Sequence, residues 1–254
     1  MMVPSNMQGK VALVTGAAAG LGRATALRLA EVGASVAVLD VAADTLAETA
    51  AAVRAMGREA LELPLDLAQR ANCALAVEHT VDRFGRLDAL CNVAGVMLPG
   101  RSDEISDGDW DLTMAVNLAA PFFLIRAAIP HLRLSHGAIV NVTSCAAFQG
   151  QAYFAAYCAT KSGLTNMTKA LAMEFTYEPI RVNAVAPGGM MTGLTAGMAR
   201  LADCDMRLIA KIPSARPELC EIEDVAECVA FLATDAARGY HGACVQIDAG
   251  VTAG

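Results

Sequence analysis

Lys10-Val11-Ala12-Leu13-Val14-Thr15-Gly16-Ala17-Ala18-Ala19-Gly20-Leu21-Gly22 joins a short β-branched apolar run to a glycine-rich turn, and a helical pattern from Arg23 to Val32 follows without a gap. Strand, turn and helix in that succession have a physical use. The glycines let the backbone turn tightly and approach a ligand, while the free N–H groups and dipole of the helix N-terminus attract a pyrophosphate. Gly16, Ala19, Gly20, Leu21 and Gly22 are therefore the candidate contacts of this turn with a cofactor.

Outward from the turn, the next apolar run, Ala34 to Leu39, ends at Asp40, eighteen residues beyond Gly22. A carboxylate at that distance accepts hydrogen bonds from an adenosine ribose and repels a 2′-phosphate. Neither Ala19, Val41 nor Ala42 supplies a cation to offset the repulsion, which favours NAD over NADP. The plainer alternative is that Asp40 opens the following turn or caps a helix from about Ala43. A further strand, Ala60 to Leu67, holds Asp66 and Leu67 where an adenine ring would lie, and Pro64 marks it as an edge strand. Leu87 to Cys91 leads into Asn92-Val93-Ala94-Gly95, whose small residues allow close cofactor approach at Asn92, Ala94 and Gly95.

Strands continue to alternate with helices: Asp103 to Trp110 reads as a loop with a helix start, a long helical stretch follows through Asn117 to about Leu134, bent at Pro121 and Pro130, and then come the strand Ala138 to Thr143 and Ile180 to Pro187. A last helix, Glu223 to Thr234, and a last strand, Ala243 to Asp248, close the chain. This alternation predicts an α/β fold with a parallel, doubly wound sheet covered on both faces. No linker interrupts it, so residues 1–254 are expected to form one domain, preceded by a loose tail over residues 1–9.

After the strand that ends at Thr143 come Ser144 and an alanine-rich helical segment carrying Tyr157 and Lys161. Four residues apart, these two share a helix face. A free phenol with a pKa of about 10 is a poor base, but an ammonium beside it favours the phenolate. Such a tyrosine exchanges a proton with an alcohol or a carbonyl oxygen, and Ser144 can hydrogen-bond the same oxygen. Asn117, between apolar Val116 and Leu118, is expected to be buried with a role. The segment 189–217 breaks the rhythm and is rich in methionine, which suits either a lid over an apolar substrate or plain packing.

The bulk composition excludes several classes. The 254 residues are 55% hydrophobic and 5% aromatic with a net charge of -7, and the scattered Lys and Arg form no basic patch for nucleic acid. The N-terminus lacks the basic start and apolar run of a signal peptide, and no segment reads as long and apolar enough for a membrane span despite a mean hydropathy of +0.43. The eight cysteines form no Cys-x-x-Cys pair and have no His at metal-ligand spacing, so reduced thiols, no metal and a cytoplasmic location are expected.

Together these motifs resemble the short-chain dehydrogenase/reductase family, from about Lys10 to Gly254. Thr15-Gly16-x-x-x-Gly20-x-Gly22 is similar to its cofactor turn, and Asn92-Val93-Ala94-Gly95 to its Asn-Asn-Ala-Gly motif, with Val93 in place of the second asparagine. Asn117, Ser144, Tyr157 and Lys161 resemble its catalytic tetrad, and Pro187-Gly188-x-x-x-Thr192 resembles the segment that contacts the nicotinamide carboxamide, with Met190 inside it. The resemblance implies a single-domain Rossmann fold with a mostly parallel seven-stranded sheet, commonly assembled as a homotetramer, or else a homodimer. It implies that Tyr157 is the acid/base, that Ser144 polarises the reacting oxygen, that Lys161 holds the nicotinamide ribose and lowers the Tyr157 pKa, and that Asn117 anchors a water in the proton path. The three residues between Tyr157 and Lys161 disfavour the enoyl reductases of the superfamily, whose gap is longer.

The expected activity is oxidation of an uncharged, apolar secondary alcohol to a ketone, or the reverse, with NAD. Ala146, Phe148, Tyr153, Phe154, Met190, Met191, Leu194 and Met198 are the candidate substrate contacts. An NADPH-dependent ketoreductase acting on a carrier-bound acyl chain, and a sensor that binds the dinucleotide without turnover, are the alternatives.

Overall fold

β1 (Val11–Thr15) is buried along its whole length, as a central strand covered on both faces requires. The computed structural model describes residues 5–191, 199–202, 204–209 and 219–253. In it β1 pairs in parallel with β2 (Ser35–Asp40) on one side and with β4 (Ala89–Asn92) on the other. β3 (Ala60–Pro64) extends the sheet beyond β2, and β5 (Ala138–Val142), β6 (Arg181–Pro187) and β7 (Cys244–Ile247) extend it beyond β4. The order is β3-β2-β1-β4-β5-β6-β7 with every pairing parallel. Pro64 ends an edge strand, where its missing N–H breaks no inner ladder.

The strands alternate their side chains between two apolar layers. Ala12 and Val14, Val36 and Val38, and Ala89 and Cys91 pack with α1 (Gly20–Glu31), α2 (Ala43–Ala55) and α7 (Ile222–Ala233). The residues between them, Leu13, Ala37, Leu39 and Leu90, pack with α3 (Arg70–Phe84), α5 (Ala120–Ser135) and α6 (Ala155–Glu174). This doubly wound arrangement is the expected Rossmann architecture.

Two expectations are corrected. The first concerns the tail: Met7 is fully buried in the α1 layer, its N–H donates to the Val32 carbonyl, and Gln8 lies against Gly33. An apolar side chain that can plug the end of β1 and α1 is anchored by the area it buries, so the loose tail does not extend to Gly9. The second concerns the helix around Asn117. α4 (Asp107–Met114) runs through a π-helical turn at Ala115–Ala119 directly into α5. The 29-residue run Asp107–Ser135 is long and apolar enough to cross a membrane. Its apolar side chains have another use: Leu124, Ile125, Ala128 and Leu132 are buried in the layer shared with α3. Pro121, with no N–H to give, falls at the start of α5 just after the widened turn.

Candidate active site

In a doubly wound sheet a crevice opens at the strand carboxyl ends where the chain order reverses, here between β1 and β4. A crevice of about 650 Å³ opens there, lined by the turn after β1, by Asp40 at the end of β2, and by the segments that follow β4, β5, β6 and β7. Its floor depends on glycine. Gly16 has φ +70, and a Cβ there would sit 2.8 Å from the Ala94 Cα; a Cβ on Gly22 would sit 2.0 Å from the Gly16 carbonyl oxygen. Thr15, 1% exposed, accepts from the N–H groups of Val93 and Ala94 at 3.0 Å each and so ties the turn to the end of β4. α1 starts with no side-chain cap and no acidic residue in its first turn, leaving its N–H groups free for an anion.

Asp40 does two things at once. One carboxylate oxygen accepts from the Ala18 N–H at 3.1 Å, inside the glycine turn, and the other accepts from the Ala42 N–H at 3.1 Å, at the approach to α2. It also lines the crevice, so these turn contacts leave it within reach of the space at the end of β2.

Ser144, Tyr157 and Lys161 meet at the opposite side of the same crevice. Ser144 is placed by the extended end of β5, and its Oγ accepts from the Ala146 N–H at 3.1 Å. The Lys161 Nζ lies 5.6 Å from the centre of the Tyr157 ring and donates to the Val142 carbonyl at 2.9 Å. Burial lowers the Lys161 ammonium from 10.5 to about 8. Burial also pushes the Tyr157 hydroxyl up to about 12, while Ser144 pulls it the other way. In the free protein, then, desolvation moves the phenol opposite to the direction expected from its ammonium neighbour.

Asn117 is fully buried in the π-helical turn. Its Oδ1 accepts from the Val96 N–H at 2.8 Å and its Nδ2 donates to the Val96 carbonyl at 2.8 Å, clamping the loop after β4. Gly95 sits between Asn117 and Lys161, where a Cβ would lie 3.3 Å from the Asn117 Oδ1 and 3.5 Å from the Lys161 Nζ.

Residues 16–252 match the sequence model of a family described as enoyl-(acyl carrier protein) reductase. The chain is 39% identical over 251 residues to the 2,5-dichloro-2,5-cyclohexadiene-1,4-diol dehydrogenase LinX of Sphingobium indicum, spanning 98% of this chain and 99% of that one. Its fold matches a short chain dehydrogenase from Mycobacterium paratuberculosis bound to NAD, with a TM-score of 0.92 at 29% identity over 98% of this chain and 100% of that one. The chain belongs to the short-chain dehydrogenase/reductase family. A Burkholderia cenocepacia short chain dehydrogenase in complex with NADP is similarly close to this dehydrogenase/reductase, with a TM-score of 0.88 at 34% identity over 97% of this chain and 99% of that one. A nicotinamide dinucleotide is thus the cofactor class, with NAD and NADP both represented among the neighbours.

The remaining candidates of this short-chain dehydrogenase/reductase are scattered. Ala19, Leu21, Ala94, Pro187, Gly188 and Met190 line the crevice. Asp66 is exposed and accepts from the Ala68 N–H, Leu67 is buried in the core, and Asn92 donates to Asn141 between β4 and β5; none of the three lines the crevice. Of the apolar set, Phe154, Met190 and Met191 line it, Ala146 is buried beneath, and Phe148 faces solvent. Tyr153, at φ +72, turns its hydroxyl to accept from the Asp205 N–H at 3.0 Å. Thr192, Leu194 and Met198 lie outside the described residues. Met97, Gln151, Leu219, Cys220, Asp248 and Val251 also line the crevice and carry no signal in the sequence, because they sit in loops after strand ends where no periodicity operates.

Proposed function

We propose that this protein oxidises an apolar cyclic secondary alcohol to its ketone, or runs the reverse, with NAD as cofactor and Tyr157 as the acid/base. The observation that carries this is the convergence in one crevice of the Gly16–Gly22 turn, Asp40, and the Ser144, Tyr157 and Lys161 side chains. The residues present fit a dinucleotide. Glycines let the turn pack tightly where any Cβ would collide with its own backbone or with Ala94, the N-terminus of α1 is uncapped, and the Asp40 side chain lines the crevice.

Bound nicotinamide supplies the hydride acceptor or donor and, when oxidised, a positive charge. Ser144 Oγ donates to the reacting oxygen and holds it toward Tyr157. The Tyr157 hydroxyl, half-buried in the crevice and held protonated up to about 12 in the free protein, gives its proton to the ketone oxygen in the reducing direction; in the oxidising direction it is the phenolate, favoured by the positive charge of Lys161, that takes the alcohol proton. Lys161 holds a second positive charge near the phenol, and Asn117 fixes the loop bearing Gly95 against it. Asp40 supports NAD because its carboxylate would repel a 2′-phosphate.

A cyclic substrate is supported by the crevice lining of Met97, Phe154, Met190, Met191 and Leu219, and by the similarity to a cyclohexadienediol dehydrogenase. In the methionine-rich segment 189–217, Arg200 donates to Asp109 and the Asp205 N–H to the Tyr153 hydroxyl, while residues 192–198, 203 and 210–217, on which the lid expectation chiefly falls, lie outside the described residues. The eight cysteines, all free thiols, support a reducing cytoplasmic setting, and exposed Leu112 and Phe122 on the α4–α5 run offer a face for a homotetramer, which sedimentation would measure.

The test is a panel of linear and cyclic secondary alcohols followed by NADH or NADPH absorbance. Cyclic alcohols oxidised with NAD at higher kcat/KM than with NADP agree with the proposal. Preference for NADP, or silence across the panel, contradicts it. The family description favours one second reading, acyl-carrier chemistry, which enoyl and 3-oxoacyl thioesters, each assayed with NADPH, decide.

A further inference from the structure

The polar side chains of the crevice are nearly all spoken for. Asp40 is held by the Ala18 and Ala42 N–H groups, and Lys161 by the Val142 carbonyl. Asp248 accepts from the Gly250 and Thr252 N–H groups at 3.0 Å each and from the Thr252 hydroxyl. Thr143 donates to the Val185 carbonyl at 3.2 Å. Apart from Ser144 and Tyr157, this leaves Gln151, in the segment that leads into α6. Among the described residues its carboxamide has one side-chain contact, Nε2 to the Cys145 Sγ at 3.7 Å.

A thiol is a weak acceptor and a carboxamide has two donors and two acceptor lone pairs, so this amide is far from satisfied. Its surroundings would otherwise suit a plain hydrocarbon: Met97, Phe154, Met190, Met191 and Leu219 line the same crevice. Its position relative to the chemistry is also defined. The Cys145 Sγ that touches Gln151 lies 3.9 Å from the Ser144 Oγ. Gln151 Nε2 and Ser144 Oγ are thus linked through one intervening sulfur and line the same crevice, close enough for one small ring to meet both.

We propose that Gln151 is a specificity-determining residue that hydrogen-bonds a second, uncharged oxygen of the substrate, so that the substrate class is a cyclic diol or hydroxyketone rather than a simple cyclic alcohol. The inference rests on the alcohol dehydrogenase reading above and narrows it. The amide can donate to a carbonyl oxygen and can donate to or accept from a hydroxyl, so it suits a second oxygen of either kind.

The probes are cyclohexanol and the 1,2-, 1,3- and 1,4-cyclohexanediols, each as separated cis and trans isomers. Binding to the enzyme saturated with NADH is read by calorimetry, and kcat/KM is read with NAD. One hydrogen bond predicts that wild type prefers its best diol over cyclohexanol by roughly tenfold in both readouts. Gln151→Met, with Gln151→Leu as a second variant of similar size, is expected to erase that ratio, with thermal melting confirming the fold. A wild type without diol preference overturns the inference, and so does a preference that survives both substitutions. The two layers fail separately: Gln151-dependent diol binding without turnover would sink the dehydrogenase reading alone, and turnover whose diol ratio ignores Gln151 would sink this inference alone.

Discussion

Gly22→Ala is expected to damage the cofactor site more than its single methyl suggests. A Cβ at Gly22 would lie 2.0 Å from the Gly16 oxygen, 2.4 Å from the Gly16 carbon and 3.0 Å from the Ala17 nitrogen. Comfortable contact between carbons is about 3.5 Å or more, so relief requires a displacement of more than about 1 Å. All three atoms are backbone, and no flexible side chain can give way. The start of α1 must therefore back off from the turn. Overpacking of this kind costs about 3 kcal/mol at the upper end of the usual range, which for a chain of this size lowers Tm by roughly 6–12 °C. The same displacement pulls the α1 N–H groups away from a pyrophosphate. Charge-assisted hydrogen bonds contribute about 1.5–3 kcal/mol each, so the Kd for NADH should rise at least roughly tenfold. Thermal melting and an NADH fluorescence titration read the two effects. Gly57→Ala is the control: Gly57 has φ +73 with nothing within 4 Å of a Cβ, so it bears only left-handed strain, about 1–2 kcal/mol, and leaves the NADH Kd unchanged. A Gly22→Ala protein with wild-type Tm and Kd would refute the steric argument and with it the tight turn as the cofactor cradle.

Three further outcomes follow from the same geometry. Thr15→Val strands the Val93 and Ala94 N–H groups and should cost about 1–3 kcal/mol in chemical denaturation, with weaker NADH binding; unchanged stability would show that Thr15 does not tie β1 to β4. Asp40→Ser should shift the NADP-to-NAD ratio of kcat/KM toward NADP by roughly tenfold, and an unmoved ratio would remove Asp40 from cofactor choice. Lys161 supplies a pH test: its folded value of about 8 lies below the 10.5 of the exposed group, so the unfolded chain binds more protons between those pH values and stability rises across that window. The burial penalty is fully present below about 8 and amounts to roughly 3 kcal/mol. The stability of wild type relative to Lys161→Met, measured by denaturant titration, should therefore improve from pH 7.5 to pH 10; a flat difference would contradict the buried ammonium.

What the sequence made legible is what local chemistry dictates. The strand, glycine turn and helix at Lys10–Gly22 could be placed because only glycine tolerates the approaches at Gly16 and Gly22. The shared face of Tyr157 and Lys161 follows from helical spacing alone. What escaped depends on where distant loops meet. Gln151 and Leu219 enter the crevice from segments without periodicity, and Tyr153 leaves its expected place because its hydroxyl engages the Asp205 N–H. The π-helical turn that buries Asn117 has no compositional mark beyond the apolar neighbours that hinted at burial. The direction of the Tyr157 shift escaped for a different reason. Spacing reveals a neighbouring ammonium, but only the folded environment reveals how much water the phenol has lost.

The central claim, that Tyr157 exchanges the proton beside a bound dinucleotide, is tested most directly by Tyr157→Phe assayed on the best alcohol of the panel under saturating NAD, with NADH affinity measured on the same sample. Loss of kcat by at least roughly a hundredfold, with the NADH Kd within about twofold of wild type, is the expected result. Turnover within tenfold of wild type by a folded, NADH-binding variant would contradict it.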